Sequence, residues 1–208
     1  MMKDKLVFDS REKSSIMLIR DTLYEIMFPI TKENRPIIFI CIGTDRSTGD
    51  SLGPLVGDKL KFLIRDRVIL YGNLEYPVHA KNLCEILDEI KMKYANPFII
   101  AIDACLGNLQ NIGKVYIEHK ALTPGAAMNK DLPPVGDISI TGIVNISGTL
   151  EFMVLQNTRL FTVMQLADVI SRGIYHAVLK TIGGKKLGTG TMNNLESNLN
   201  YIMNKIEV

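Results

Sequence analysis

The chain has 208 residues, 47% of them hydrophobic, which suits one generous domain with a substantial core. Its formal net charge of +2, with no basic block longer than GGKK at Gly183–Lys186, excludes a mainly electrostatic nucleic-acid binder. The charged N-terminus MMKDKLVFDSREK has no signal-peptide core, and no apolar run reaches membrane-spanning length. The cysteines Cys41, Cys84 and Cys105 form no CxxC pair, so they read as reduced, buried thiols of a cytoplasmic protein.

SREKSSIMLIRDTLYEIMF places Ile16, Ile19, Leu23 and Ile26 three and four residues apart, which predicts an amphipathic helix capped at Ser10 and ending near Pro29. TKENRP follows as a polar linker. PIIFICIG is short, continuous and β-branched, as expected of a strand buried on both faces. A helix then starts around Gly53 and Pro54, with the proline in its first turn. RVILYG is a second strand, and Leu83, Ile86, Leu87 and Ile90 mark the apolar face of the next helix. NPFIIAIDAC is a third strand and GKVYIEHKAL one nearer the edge. TPGAAMNKDLPPVGD is a long Gly/Pro-rich loop, and loops of that length in compact domains are commonly functional. ISITGIVN returns to a strand, TRLFTVMQLADVISRGIYHAVLKTI is a long helix, GGKKLGTGTMNN a break and LESNLNYIMNKIEV a short tail helix.

Helices alternating with apolar strands imply a doubly wound α/β fold, a mostly parallel sheet with helices on both faces. Ligands of such sheets bind at the carboxyl ends of the strands. There the loops GTDRSTGDSLG and DACLGN place Asp50 and Asp103 on one crevice. The first loop is not a phosphate loop: five residues separate Gly43 from Gly49, and Asp50 stands where a lysine should meet phosphate. No dinucleotide fingerprint or nucleophile elbow is present. Cys105, two residues after Asp103, reads as a small buried side chain rather than a nucleophile.

Two close aspartates can share one proton and serve as acid and base, or both ionise and hold a divalent metal. The plainer readings are a helix N-cap for Asp50 and a strand-end turn for Asp103. His79, opening the helix after the second strand, is a candidate general acid, ligand or cap. Asp45, Arg46, Ser47 and Thr48 are candidates for orienting a substrate backbone, or a solvated loop. His119 and His176 carry little weight.

FICIGTDRSTGDSLGPLVG, EYPVHAKNL, AIDACLG and DLPPVGDISITGIVN together resemble the sporulation protein YyaC family, from about Arg35 to Lys180. More distantly the chain resembles the spore germination protease and the hydrogenase maturation endopeptidases, which implies a phosphorylase/hydrolase-like α/β fold. The resemblance matches Asp50 (in GDSLGP) and Asp103 (in IDA) to the two acids of an atypical aspartic-type peptidase centre. In the hydrogenase enzymes those acids join a histidine around nickel, and here Thr123 precedes Pro124 in the corresponding loop.

The reading is therefore an N-terminal helix and linker over residues 1–34 and a peptidase-like domain over 35–208. It would be a spore-associated peptidase with Asp50 and Asp103 catalytic, Asp45, Arg46, Ser47 and His79 binding substrate, and no metal or cofactor. The alternative is a non-catalytic forespore relative that binds a peptide or protein. The expected partner is a protein or peptide, with small acid-soluble spore proteins the first candidate, in the cytoplasm of the forespore or spore core. Neither nucleic acid nor membrane is expected, and homo-oligomerisation is left open.

Overall fold

In the computed structural model, which describes residues 5–63, 67–124 and 132–183, the elements run β1 (Lys5–Asp9), α1 (Ser15–Lys32), β2 (Ile37–Cys41), a 3-10 turn (Gly49–Ser51), α2 (Leu52–Leu60), β3 (Val68–Tyr71), α3 (Leu83–Lys93) and β4 (Phe98–Gly107). A second 3-10 turn (Leu109–Asn111), β5 (Lys114–Glu118), β6 (Ile138–Ile146), α4 (Glu151–Gln156) and α5 (Leu160–Ile182) follow. The six strands form one sheet in the order β1-β5-β6-β4-β2-β3. β3, β2, β4 and β6 are parallel, and β5 runs antiparallel to both β6 and β1.

The apolar run of β2 is continuous because both sheet faces are covered. Ile37, Phe39 and Cys41 join the core beneath α1, α2 and α5, while Ile38, Ile40 and Ile42 join the core beneath α3. The fold is thus the mostly parallel α/β sheet with helices on both faces that the alternation implied. No helix among the described residues is long and apolar enough to cross a membrane.

Several elements differ from expectation. The segment before Arg35 is more than a helix and linker, because it supplies edge strand β1. Only Phe8 of that strand is buried, so its place is set by backbone pairing with β5, which a side-chain pattern does not display. Ser14, not Ser10, occupies the N-cap of α1. The helix continues through Pro29 to Lys32, since a proline in the last turn forfeits one backbone bond while Ile26 and Met27 stay buried. α3 starts at Leu83, after a turn in which the His79 carbonyl accepts the N–H groups of Asn82 and Leu83 at 3.1 and 3.0 Å. β4 runs on to Gly107, paired with β6 past a bulge at Cys105/Leu106, so Asp103 lies within a strand rather than at its end. Cys41 is buried, but Cys84 and Cys105 are exposed. The middle of the Gly/Pro-rich loop, residues 125–131, and the expected break and tail helix from residue 184 lie outside the described residues.

Candidate active site

The chain leaves β2 for β3 on one side, then crosses to β4 on the other. That reversal opens a crevice at the carboxyl ends of β2 and β4. The Asp50 loop is pressed into it by backbone contacts. Gly43, at φ +140°, donates its N–H to the Val78 carbonyl at 2.8 Å, and the Thr44 N–H reaches the Asp50 carbonyl at 3.1 Å. A Cβ on Gly43 would stand 2.0 Å from the Asp50 carbonyl oxygen, and one on Gly53 would stand 2.0 Å from that of Ile42. Glycine at both positions lets the 3-10 turn fold back onto the end of β2. Leu155 and Thr158 close against the turn at Gly49, and Thr158 Oγ1 is held by the Val154 carbonyl at 2.8 Å and by Asn145 Nδ2 at 3.2 Å.

Asp50 is half-buried and lies inside this turn. Thr48 is the turn's N-cap and Ser51 that of α2, so Asp50 is not the helix cap that the sequence allowed. Asp103 faces Thr141 across β4 and β6 and is only 8% exposed. Its Oδ1 accepts the Ala104 N–H at 2.7 Å. Burial first, and then the negative charge of Asp50, push the Asp103 carboxyl well above the usual carboxylate range; the Ala104 hydrogen bond opposes them. The crevice therefore brings the two aspartates within electrostatic reach. Asp103 is the more deeply buried of the two, and Asp50 is the better solvated one.

Of the other candidates, Asp45 and Arg46 are exposed on the rim, and the Arg46 N–H donates to Thr44 Oγ1 at 3.3 Å. Ser47 is buried, and its Oγ finds no partner among the described residues. His79 follows Val78, whose backbone bridges Ile42 and Gly43, so its loop adjoins that of Asp50. Its N–H donates to Asn82 Oδ1 at 2.8 Å, while its buried Nδ1 has no partner among the described residues. His119 lies just past β5 and is exposed, and His176 packs its ring on Tyr175 within α5. Sequence reasoning passed over Ser139 and Thr141, buried polar residues on the Asp103 face of β6. The alternation in ISITG was the available signal.

Among the described residues, no three His, Cys, Asp or Glu side chains cluster to hold a metal ion. Two carboxylates without an imidazole or thiolate are a poor donor set for nickel, so no step here runs through one. Elemental analysis of protein purified without added metal is expected to find no stoichiometric transition ion. One tightly held ion per chain, with His79→Ala releasing it, would contradict this.

A family model described as "Protein of unknown function (DUF1256)" matches residues 7–173. The "Uncharacterized protein YyaC" of Bacillus subtilis (strain 168) is 54% identical over 140 residues, which cover 67% of this chain and 68% of that protein. Among solved structures, the NiFe hydrogenase maturation protease HycI from Thermococcus kodakarensis KOD1 aligns with a TM-score of 0.45 and 17% identity, over 69% of this chain and 92% of that one.

Proposed function

We propose that this chain, which belongs to the DUF1256 family, is a peptide-bond hydrolase working through Asp50 and Asp103. The observation that carries the reading is a buried carboxyl, Asp103, at the switch point of the sheet, raised above the usual carboxylate range by burial and then by the charge of a second acid, Asp50. A lone buried aspartate on an apolar strand is costly, and its place beside another acid gives that cost a chemical use.

In the proposed reaction ionised Asp50 takes a proton from a water molecule, whose oxygen bonds to the peptide carbonyl carbon. Asp103 donates its proton to the carbonyl oxygen. When the tetrahedral adduct collapses, the C–N bond breaks, the nitrogen takes the proton from Asp50, and Asp103 recovers its own from the adduct's hydroxyl. Each group ends as it began. Small acid-soluble spore proteins are the substrate that the germination-protease resemblance offers, with the forespore as the place of action.

The test is incubation of the full chain with small acid-soluble spore proteins and with unfolded casein, read by mass spectrometry. Discrete cleavage is expected. Saturable binding without cleavage would move the reading to the non-catalytic relative.

The raised Asp103 carboxyl also has a stability signature. Above its unfolded value of about 3.8 the unfolded chain releases this proton while the folded chain retains it, so stability falls as pH rises through the folded value. Asp103→Asn removes that loss. Its Tm is expected to exceed the parent's at neutral pH and to match it below about 3.8, where both states are protonated. A lower Tm for the variant at neutral pH, measured by scanning calorimetry, would show that the carboxyl is ionised and paired instead.

A further inference from the structure

Strand parity fixes which face Asp103 uses. Ile100 and Ile102 pack beneath α1 and α5, so Ala101, Asp103 and Cys105 lie on the opposite face, that of α3. The same parity puts Tyr116 and Glu118 of β5, and Ser139 and Thr141 of β6, on that face, because Val115, Ile117, Ile138 and Ile140 fill the other core. The α3 core covers this face over β2, β3 and the first half of β4. Beyond it lies a groove of about 530 Å³, lined among others by Lys5, Cys105, Tyr116, Glu118, Lys120 and Thr141. That volume falls in the range of binding sites rather than packing defects.

One wall of the groove is held in place by its own contacts. Lys5 Nζ sits 3.7 Å from the centre of the Tyr116 ring and 3.9 Å from Glu118 Oε1, and Lys120 Nζ is 3.1 Å from the same oxygen. The Glu118 side chain is only 14% exposed. Among the described residues, the charged side chains that line it are two lysines and one glutamate, which leaves one unit of positive charge. At its other end the groove reaches Thr141, the register partner of Asp103, and Cys105, which lies two residues beyond Asp103 on the same face. Edge strand β1 thereby contributes a side chain, Lys5, to the groove. Resting on the peptidase reading above, we infer that this groove seats the substrate chain on one side of the scissile bond and selects a carboxylate side chain there. A single excess charge on partly exposed lysines suits one carboxylate, whereas a polyphosphate would call for several cations.

The test uses the full chain carrying Asp50→Asn, which blocks turnover and leaves every groove residue in place, with Cys84→Ser to remove the other exposed thiol. The probe is a random decapeptide mixture, and retained peptides are sequenced by mass spectrometry. Retained peptides are expected to be enriched in Asp and Glu. Lys120→Glu should cut that enrichment by about fivefold, the upper range for one partly exposed ion pair. Fluorescein-maleimide on Cys105 should abolish retention, while a small methanethiosulfonate adduct at the same thiol leaves most of it. No retention, retention without acidic enrichment, or retention indifferent to the bulky adduct would each overturn the groove assignment. Failure of the peptidase reading looks different: acidic peptides would still be retained, and the parent would cleave nothing.

Discussion

Asp50→Asn and Asp103→Asn are each expected to lower peptide hydrolysis by about 10³-fold or more while leaving the chain folded, as removal of a general acid or base does. Asparagine keeps the volume of aspartate. At position 103 its Oδ1 can still accept the Ala104 N–H, now 2.7 Å from the aspartate oxygen. At position 50 the side chain is not the N-cap of the turn or of α2, so capping is not at stake. The double variant should be little slower than either single one, because the two groups form one acid–base unit and their effects do not add. Initial rates on a cleaved substrate, with circular dichroism as the folding control, make the measurement. Hydrolysis that persists unchanged in Asp50→Asn would remove the aspartate mechanism.

Gly53→Ala is expected to destabilise the protein by about 3 kcal/mol, at the upper end of overpacking costs. Its Cβ would meet the Ile42 backbone, 2.0 Å from the carbonyl oxygen and 2.7 Å from both the carbonyl carbon and the nitrogen. No side chain can swing aside there, so the end of β2 must separate from α2. For a chain of this size that loss lowers Tm by about 6–12 °C. The same shift moves the turn that carries Asp50, so activity falls in the fraction that remains folded. Gly148→Ala is the control, since nothing lies within 4 Å of its added Cβ and its φ is not positive. Thermal melts of the two variants decide the point, and equal midpoints would show that the approach of α2 to β2 is not tight.

The interior of this fold was legible because its elements carry their burial in their composition. Ile37–Cys41 is apolar at every position, which only a strand covered on both faces requires. Leu83, Leu87 and Ile90 repeat at helical spacing and are buried on α3. What escaped depends on backbone partners. Lys5–Asp9 alternates too little to read as a strand, yet β5 holds it in register. The last residues of β4 look like a turn because of Gly107, and β6 keeps them extended. For the site, topology alone placed Asp50 and Asp103 at one crevice. The division of labour between them was not legible, because it rests on how deeply each is buried. The exposed Cys105 was read as buried because cysteine composition says nothing about which sheet face the described helices leave uncovered.

At the centre of the proposed mechanism is an Asp103 carboxyl raised by burial and, to a smaller degree, by the charge of Asp50. Its most direct test is a pH titration of the Asp103 side-chain carboxyl carbon by NMR, in the parent and in Asp50→Asn. In the parent the resonance should titrate well above the ordinary carboxylate range. In Asp50→Asn it should move down but stay raised, since burial is the larger cause and the neighbouring charge the smaller. An Asp103 that titrates near 3.8, or one that ignores the loss of the Asp50 charge, would contradict the account.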